Sequence, residues 1–159
     1  MVALKVSVQL EDFSAQEEEK RLLSDRRDIG AIISFIGLCR DEEPPLSALE
    51  LEHYPGMAEA EITAVAKQAS QRWPILGATI IHRYGRIEPG AQIVLTLVVA
   101  AHREAAFASA QFIMDYLKTR APFWKKRHFL DGSEGDWVMP KIEDNLALDK
   151  WFEAKSSLD

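Results

Sequence analysis

The chain has 159 residues, 47% hydrophobic and 28% charged, a profile that suits one globular domain with a real core. Its net charge of −6 excludes a general nucleic-acid or anionic-membrane binder, because those need a basic face. One cysteine, Cys39, excludes an internal disulfide and multi-cysteine zinc sites; with no signal-peptide pattern and no apolar run near 18 residues, a cytoplasmic protein is expected.

Leu4, Val6, Val8 and Leu10 alternate with Lys5, Ser7 and Gln9, which predicts a half-buried strand. Ser14 stands three residues before Glu17, a capping-box spacing that opens a short acidic helix to about Leu23. Between Gly30 and Gly37 the run A-I-I-S-F-I reads as a buried strand, and D-E-E-P-P after it reads as a loop. Arg40 then lies at a strand mouth, where binding residues are often held. Cys39 reads as a small buried thiol rather than a nucleophile, since no histidine is near it in sequence.

Residues 48–54 alternate again, and Pro55-Gly56 turns the chain. Ala58, Ile62, Val65, Ala69 and Trp73 mark one face of a structural helix that Pro74 ends. A strand is expected over 78–84 and a turn at Glu88-Pro89-Gly90. Ile93 to Ala101 is the most apolar stretch, which suggests burial on both faces. It delivers the chain to His102 and Arg103 at a helix start. Unpaired N–H groups and the helix dipole attract anions there, and an arginine adds a fork for phosphate or carboxylate.

In the helix that follows, Phe107, Ala110, Met114 and Leu117 form an apolar stripe, either core or partner surface. Pro122 stops this helix. The next strand alternates Phe123, Lys125, Arg127 and Phe129 on one face with Trp124, Lys126, His128 and Leu130 on the other. D-G-S-E-G-D reads as a hairpin loop, D-W-V-M as the return, and residues 144–152 as a terminal helix. Residues 1–152 are expected to form one domain and 153–159 a flexible tail. The architecture is α+β, with a mixed or antiparallel sheet.

The charge distribution is uneven. Five of the 19 Lys+Arg lie in K-T-R-A-P-F-W-K-K-R, which holds no acid. Lys118 and Arg120 precede Pro122; Lys125, Lys126 and Arg127 follow it. Two elements flanking one sharp turn can converge cations on an anion. A lysine among cations, partly buried behind Phe123 and Trp124, is pushed toward lower pKa and can serve as acid/base, nucleophile or oxyanion stabiliser. Dipole complementation at a helix end explains Lys118 and Arg120 without any function. It explains the three strand cations poorly, since they repel one another. No nucleophile elbow or Gly-rich phosphate loop appears, the four histidines are scattered, and no metal or cofactor is expected. The residues alone point to a site for a small anionic, phosphorylated ligand.

L-E-H-Y-P-G-M (51–57), R-W-P (72–74), I-H-R-Y-G (81–85), A-A-H-R (100–103) and Q-F-I-M-D-Y-L-K-T-R-A-P-F-W-K (111–125) together resemble the large, catalytic subunit of molybdopterin synthase. The resemblance runs in consistent order over residues 3–152. It implies an α/β hammerhead-type fold with an added antiparallel β subdomain, and a homodimer of large subunits within a heterotetramer. A small ubiquitin-like sulfur-carrier subunit threads its C-terminal Gly-Gly thiocarboxylate into each large subunit. Two sulfurs pass, one from each of two carriers, to cyclic pyranopterin monophosphate, which becomes the dithiolene of molybdopterin as its cyclic phosphate opens.

By the same resemblance, Lys118 sits beside the carrier's terminal glycine, steers the thiocarboxylate and stabilises charge at its carbonyl. Lys125 is the second essential lysine and a general acid/base at the pterin side chain. Arg40, His102 and Arg103 match substrate-binding residues, with Lys126 and Arg127 in the adjoining binding segment. Leu38 and Cys39 stand where relatives often carry a basic and an aliphatic residue, so contacts there would come from backbone. Lys141 stands near an arginine that reaches the neighbouring subunit's site. The competing reading is a non-catalytic docking module for a ubiquitin-like partner.

Overall fold

A computed structural model describes residues 2–138 and 149–152. Lys141, Met139 of the expected return strand, the first part of the terminal helix and the tail at 153–159 lie outside these residues. None of the described helices is long and apolar enough to cross a membrane.

The elements run β1 (Ala3–Gln9), α1 (Ala15–Leu23), β2 (Ala31–Leu38), β3 (Leu46–His53), α2 (Met57–Arg72), β4 (Ile75–Arg83), β5 (Gly85–Ile87), β6 (Gln92–Ala100), α3 (Arg103–Thr119) and β7 (Phe123–Phe129). They build two sheets. The larger has the order β1-β4-β6-β2, with β1 parallel to β4 and the other pairs antiparallel. The smaller is antiparallel, in the order β5-β3-β7. Mixed helix and strand content in two sheets gives the expected α+β class.

Helices cover both faces of the larger sheet. α2 and α3 pack Ile62, Val65, Ala69, Phe112 and Ile113 against Ile80 and Val98 on one face. α1 brings Leu22 against Ile81, Leu95, Leu97 and Val99 on the other. That is why β6 reads as a continuous apolar run: seven of its residues, Val94 to Ala100, are buried. Each fully buried aliphatic side chain there contributes roughly 1.5–3 kcal/mol. α1 starts as its sequence predicts, with the Ser14 hydroxyl accepting from the Glu17 N–H at 3.2 Å. A third cluster, Cys39, Leu51 and Ile87, stitches the two sheets together.

Three expectations are corrected or narrowed. The run at 31–36 is a strand, but among the described residues it lies at the edge of its sheet, and Phe35, Ile36 and Leu38 are exposed. Its apolar composition therefore marks an uncovered face as well as core. The α3 stripe, read as core or partner surface, divides: Ala110, Met114 and Leu117 are core, whereas Phe107 is 60% exposed. Finally, β5 is a separate strand. Gly85 takes φ +89°, a left-handed value that glycine adopts without steric cost. The chain turns there and passes from the larger sheet into the smaller one.

Candidate active site

The seam between the sheets encloses a cavity of about 330 Å³, a volume that suits a small ligand. Its apolar wall comes from Leu49 and Leu51 of β3, Ile93 and Val94 of β6, and Met114 and Leu117 of α3. Its cations are Arg40, Lys118, Lys125 and Arg127. Met114 is fixed from behind, since the buried Thr96 hydroxyl donates to its Sδ at 3.1 Å.

Pro122 arranges the two lysines. Lys118 lies in the last turn of α3, which closes when the Arg120 N–H donates to the Tyr116 carbonyl at 2.7 Å. Proline cannot continue the helix, and β7 begins at Phe123, two residues before Lys125. Two backbone hydrogen bonds with Val138, of 3.2 and 2.7 Å, hold Lys125 in place. The expected burial is absent, because both lysines are exposed to the cavity and its mouth. Asp115, the acid that begins this segment, turns the other way. It is buried and accepts from Gln111 Nε2 at 2.9 Å and Trp151 Nε1 at 2.7 Å, which anchors residues 149–152 against α3.

Alternation sorts the three adjacent strand cations. Lys125 and Arg127 face the cavity, and Lys126 faces away. Their repulsion is relieved by neighbouring acids. Arg127 grips Glu42 with both Nε and Nη2, the second contact at 3.1 Å. The Glu42 carboxylate is the main reason the Arg127 pKa is raised. Lys126 pairs with Glu134 at 2.8 Å behind the sheet, and that hydrogen bond raises its pKa. There His128 is buried, its Nε2 is 2.7 Å from Glu50 Oε1, and its Nδ1 is 3.3 Å from Arg86 Nη1.

The remaining expected residues divide into two groups. Leu38, Cys39 and Arg40 line the cavity from the end of β2. The Cys39 side chain is buried. Burial first, and then Glu42 and Asp41, push its thiol up, so it is a poor nucleophile. Its N–H donates to the Ala91 carbonyl at 2.8 Å and its carbonyl accepts from the Gly90 N–H at 2.6 Å. The exposed Leu38 side chain and Arg40 are thus the parts of this segment open to a ligand. His102 and Arg103 are not brought to this cavity. They are exposed at the N-terminal end of α3, beside Gly30 and Ala101. Lys118 is fifteen positions along the helix from Arg103, about 22 Å.

His82 was not singled out by the sequence, where it is one of four scattered histidines, yet it lines the cavity. Its ring stacks on Phe123 at 3.8 Å with an interplanar angle of 14°. Loss of water, then the charges of Lys118 and Lys125, push its pKa down to about 4, against the pull of a hydrogen bond to the Arg83 carbonyl. The ring is neutral at physiological pH.

Comparison with known proteins agrees with this geometry. The model of the MoaE protein family matches residues 8–120. The molybdopterin synthase catalytic subunit of Brucella melitensis is 56% identical over 154 residues, 97% of this chain and 94% of that protein. Its counterpart from Rhizobium meliloti is 58% identical over 146 residues, 92% of this chain and 94% of that protein. The solved structure of molybdopterin cofactor biosynthesis protein E from Burkholderia multivorans superposes with a TM-score of 0.80 at 45% identity, covering 94% of this chain and 97% of that one. The chain belongs to the MoaE family of molybdopterin synthase catalytic subunits.

Proposed function

We propose that this chain is the sulfurtransferase subunit that converts cyclic pyranopterin monophosphate into the molybdopterin dithiolene. Sulfur comes from the thiocarboxylated C-terminus of a small ubiquitin-like carrier. The observation that carries this reading is the convergence of Lys118 and Lys125, from two elements either side of Pro122, on one cavity with Arg40 and Arg127. Such a cavity holds two anions together, a phosphate and a thiocarboxylate, that would otherwise repel one another. The carrier's sulfur is the nucleophile. The high-lying, buried Cys39 thiol fits that assignment, since the chain offers no thiolate of its own at the cavity.

In this reading Lys118 steers the incoming tail and stabilises negative charge at its carbonyl. Lys125 moves a proton at the pterin side chain, and Arg40 receives the phosphate. Arg127 helps form the binding segment while Glu42 fixes its orientation. Lys126 belongs to the same segment but points away from the cavity, paired with Glu134. His102 and Arg103 lie too far along α3 to serve the same chain's cavity, so their substrate role requires a second copy whose cavity they approach. Relatives named as catalytic subunits imply a partner subunit, and the assembly proposed is two large subunits with two carriers. The functional unit is residues 1–152, and it works in the cytoplasm.

Turnover with thiocarboxylated carrier and cyclic pyranopterin monophosphate tests the proposal. Product that forms with the wild type and disappears in Lys118→Ala, with the fold intact, supports it. Near-normal turnover in that variant overturns the role of Lys118. Carrier binding without any sulfur transfer by the wild type makes the chain a docking module instead.

A further inference from the structure

His82 is built into the cavity from three sides. Its backbone is paired in the larger sheet with Val8 on one neighbour and Val94 on the other. Its ring lies flat on Phe123, which is itself buried. Its Nδ1 is 2.8 Å from the Arg83 carbonyl oxygen. A carbonyl can only accept, so Nδ1 carries the hydrogen and the neutral ring keeps its lone pair on Nε2. The charged or ionisable groups that face this ring from neighbouring elements are Lys118 of α3, Lys125 of β7 and His53 of β3. All three disfavour a proton on it.

The outcome is an acceptor among donors. Arg40, Lys118, Lys125 and Arg127 can only donate, and they recognise anions. They offer nothing to an N–H. The Glu42 carboxylate is engaged by Arg127. An imidazole held neutral adds an acceptor without adding negative charge, so it does not oppose the anions that the cations attract.

We propose that His82 is a specificity-determining residue of the cavity: its Nε2 accepts a hydrogen bond from an N–H of a bound reactant and orients that reactant against Lys118 and Lys125. The identity of the reactants rests on the function proposed above. Both present such a group, the pterin on its ring and the carrier in the amide of its terminal glycine. With its ring neutral near neutral pH, His82 has no imidazolium proton to give, and its part is to accept a hydrogen bond.

The test is a pair of titrations of the full chain, labelled with nitrogen-15 at histidine. One uses cyclic pyranopterin monophosphate and the other uses carrier lacking its terminal sulfur. We expect the Nε2 resonance of His82 to move toward the hydrogen-bonded value in one arm, which identifies the donor, while Nδ1 stays. In that arm His82→Phe, which keeps a ring on Phe123, weakens binding about tenfold or more. His82→Gln, which keeps an acceptor, recovers part of the loss, and inorganic phosphate binds all three proteins alike. An Nε2 resonance that moves in neither arm overturns the proposal. So do Phe and Gln variants that bind both reactants as the wild type does, or that lose binding equally. Turnover measured alongside separates the two readings. A wild type that transfers no sulfur overturns the proposed function, whereas transfer with an unmoved Nε2 overturns the His82 assignment alone.

Discussion

The two faces of β7 carry similar residues and do different things. On the cavity side, Lys125 and Arg127 stand among Arg40, Lys118 and apolar side chains. On the far side, Lys126 and His128 are answered by Glu134 and Glu50. Both faces are basic, so positive charge does not mark the site. What distinguishes them is where the counter-charges lie. The chain supplies acids behind the strand, whereas in front it supplies Glu42 to Arg127 and gathers further cations around a space. A surface ion pair such as Lys126–Glu134 contributes little, because solvent screens it. A cluster of cations facing a ligand-sized cavity gains its energy when an anion arrives.

The largest effect that sharpens this contrast is expected in front. Lys118→Ala and Lys125→Ala should each lower kcat/KM for sulfur transfer by about 100-fold or more, with thermal unfolding within a few degrees of wild type. Steady-state assays beside a melting curve check this, and a small kinetic loss in either would remove the distinction between the faces.

The next effect is on stability. The His82 pKa is about 4 in the folded chain against 6.5 as its ordinary value. On acidification the unfolded chain takes up this proton first, so the contribution is fully present above pH 6.5 and is lost as pH falls toward 4. The loss reaches roughly 3 kcal/mol if the whole shift is realised. Denaturant titrations between these pH values should show the slope, and His82→Phe should flatten it.

A smaller effect is expected at Glu42. Glu42→Gln removes the charge that orients Arg127, and KM for the pterin should rise about threefold to tenfold with kcat little changed. The smallest is expected behind the strand. Lys126→Ala should leave sulfur transfer within about twofold and thermal unfolding within a few degrees of wild type. A large kinetic loss there would mean that the back face takes part in the chemistry after all.

Much of this was readable from the chain alone. Ser14 and Glu17 announced the start of α1, Pro122 the break between α3 and β7, and the Val94–Ala100 run a strand covered on both sides. Alternation in β7 assigned Lys125 and Arg127 to one face and Lys126 to the other. The exposure of Phe35 was not readable, because an apolar side chain at a sheet edge has the same sequence signature as one in a core. Nor was the acid pairing of Arg127 and Lys126. Glu42 and Glu134 are distant from them along the chain or across a turn, and only the fold closes those gaps. His82 was missed for a similar reason. Its place in a strand was expected, but the stacking and the lysines that define its state come from other elements. The reaction itself came from family resemblance rather than from charge.

The position of β2 at a sheet edge among the described residues has a consequence for the life of the chain in a cell. A strand at the edge of its sheet among the described residues, which itself exposes Phe35, Ile36 and Leu38, is a template for any other strand that meets it. Newly made protein is therefore exposed to indiscriminate pairing at this edge. Production rate and temperature should then influence the yield of soluble material. Slow synthesis, which keeps unassembled chains dilute, is the condition that favours the correct outcome.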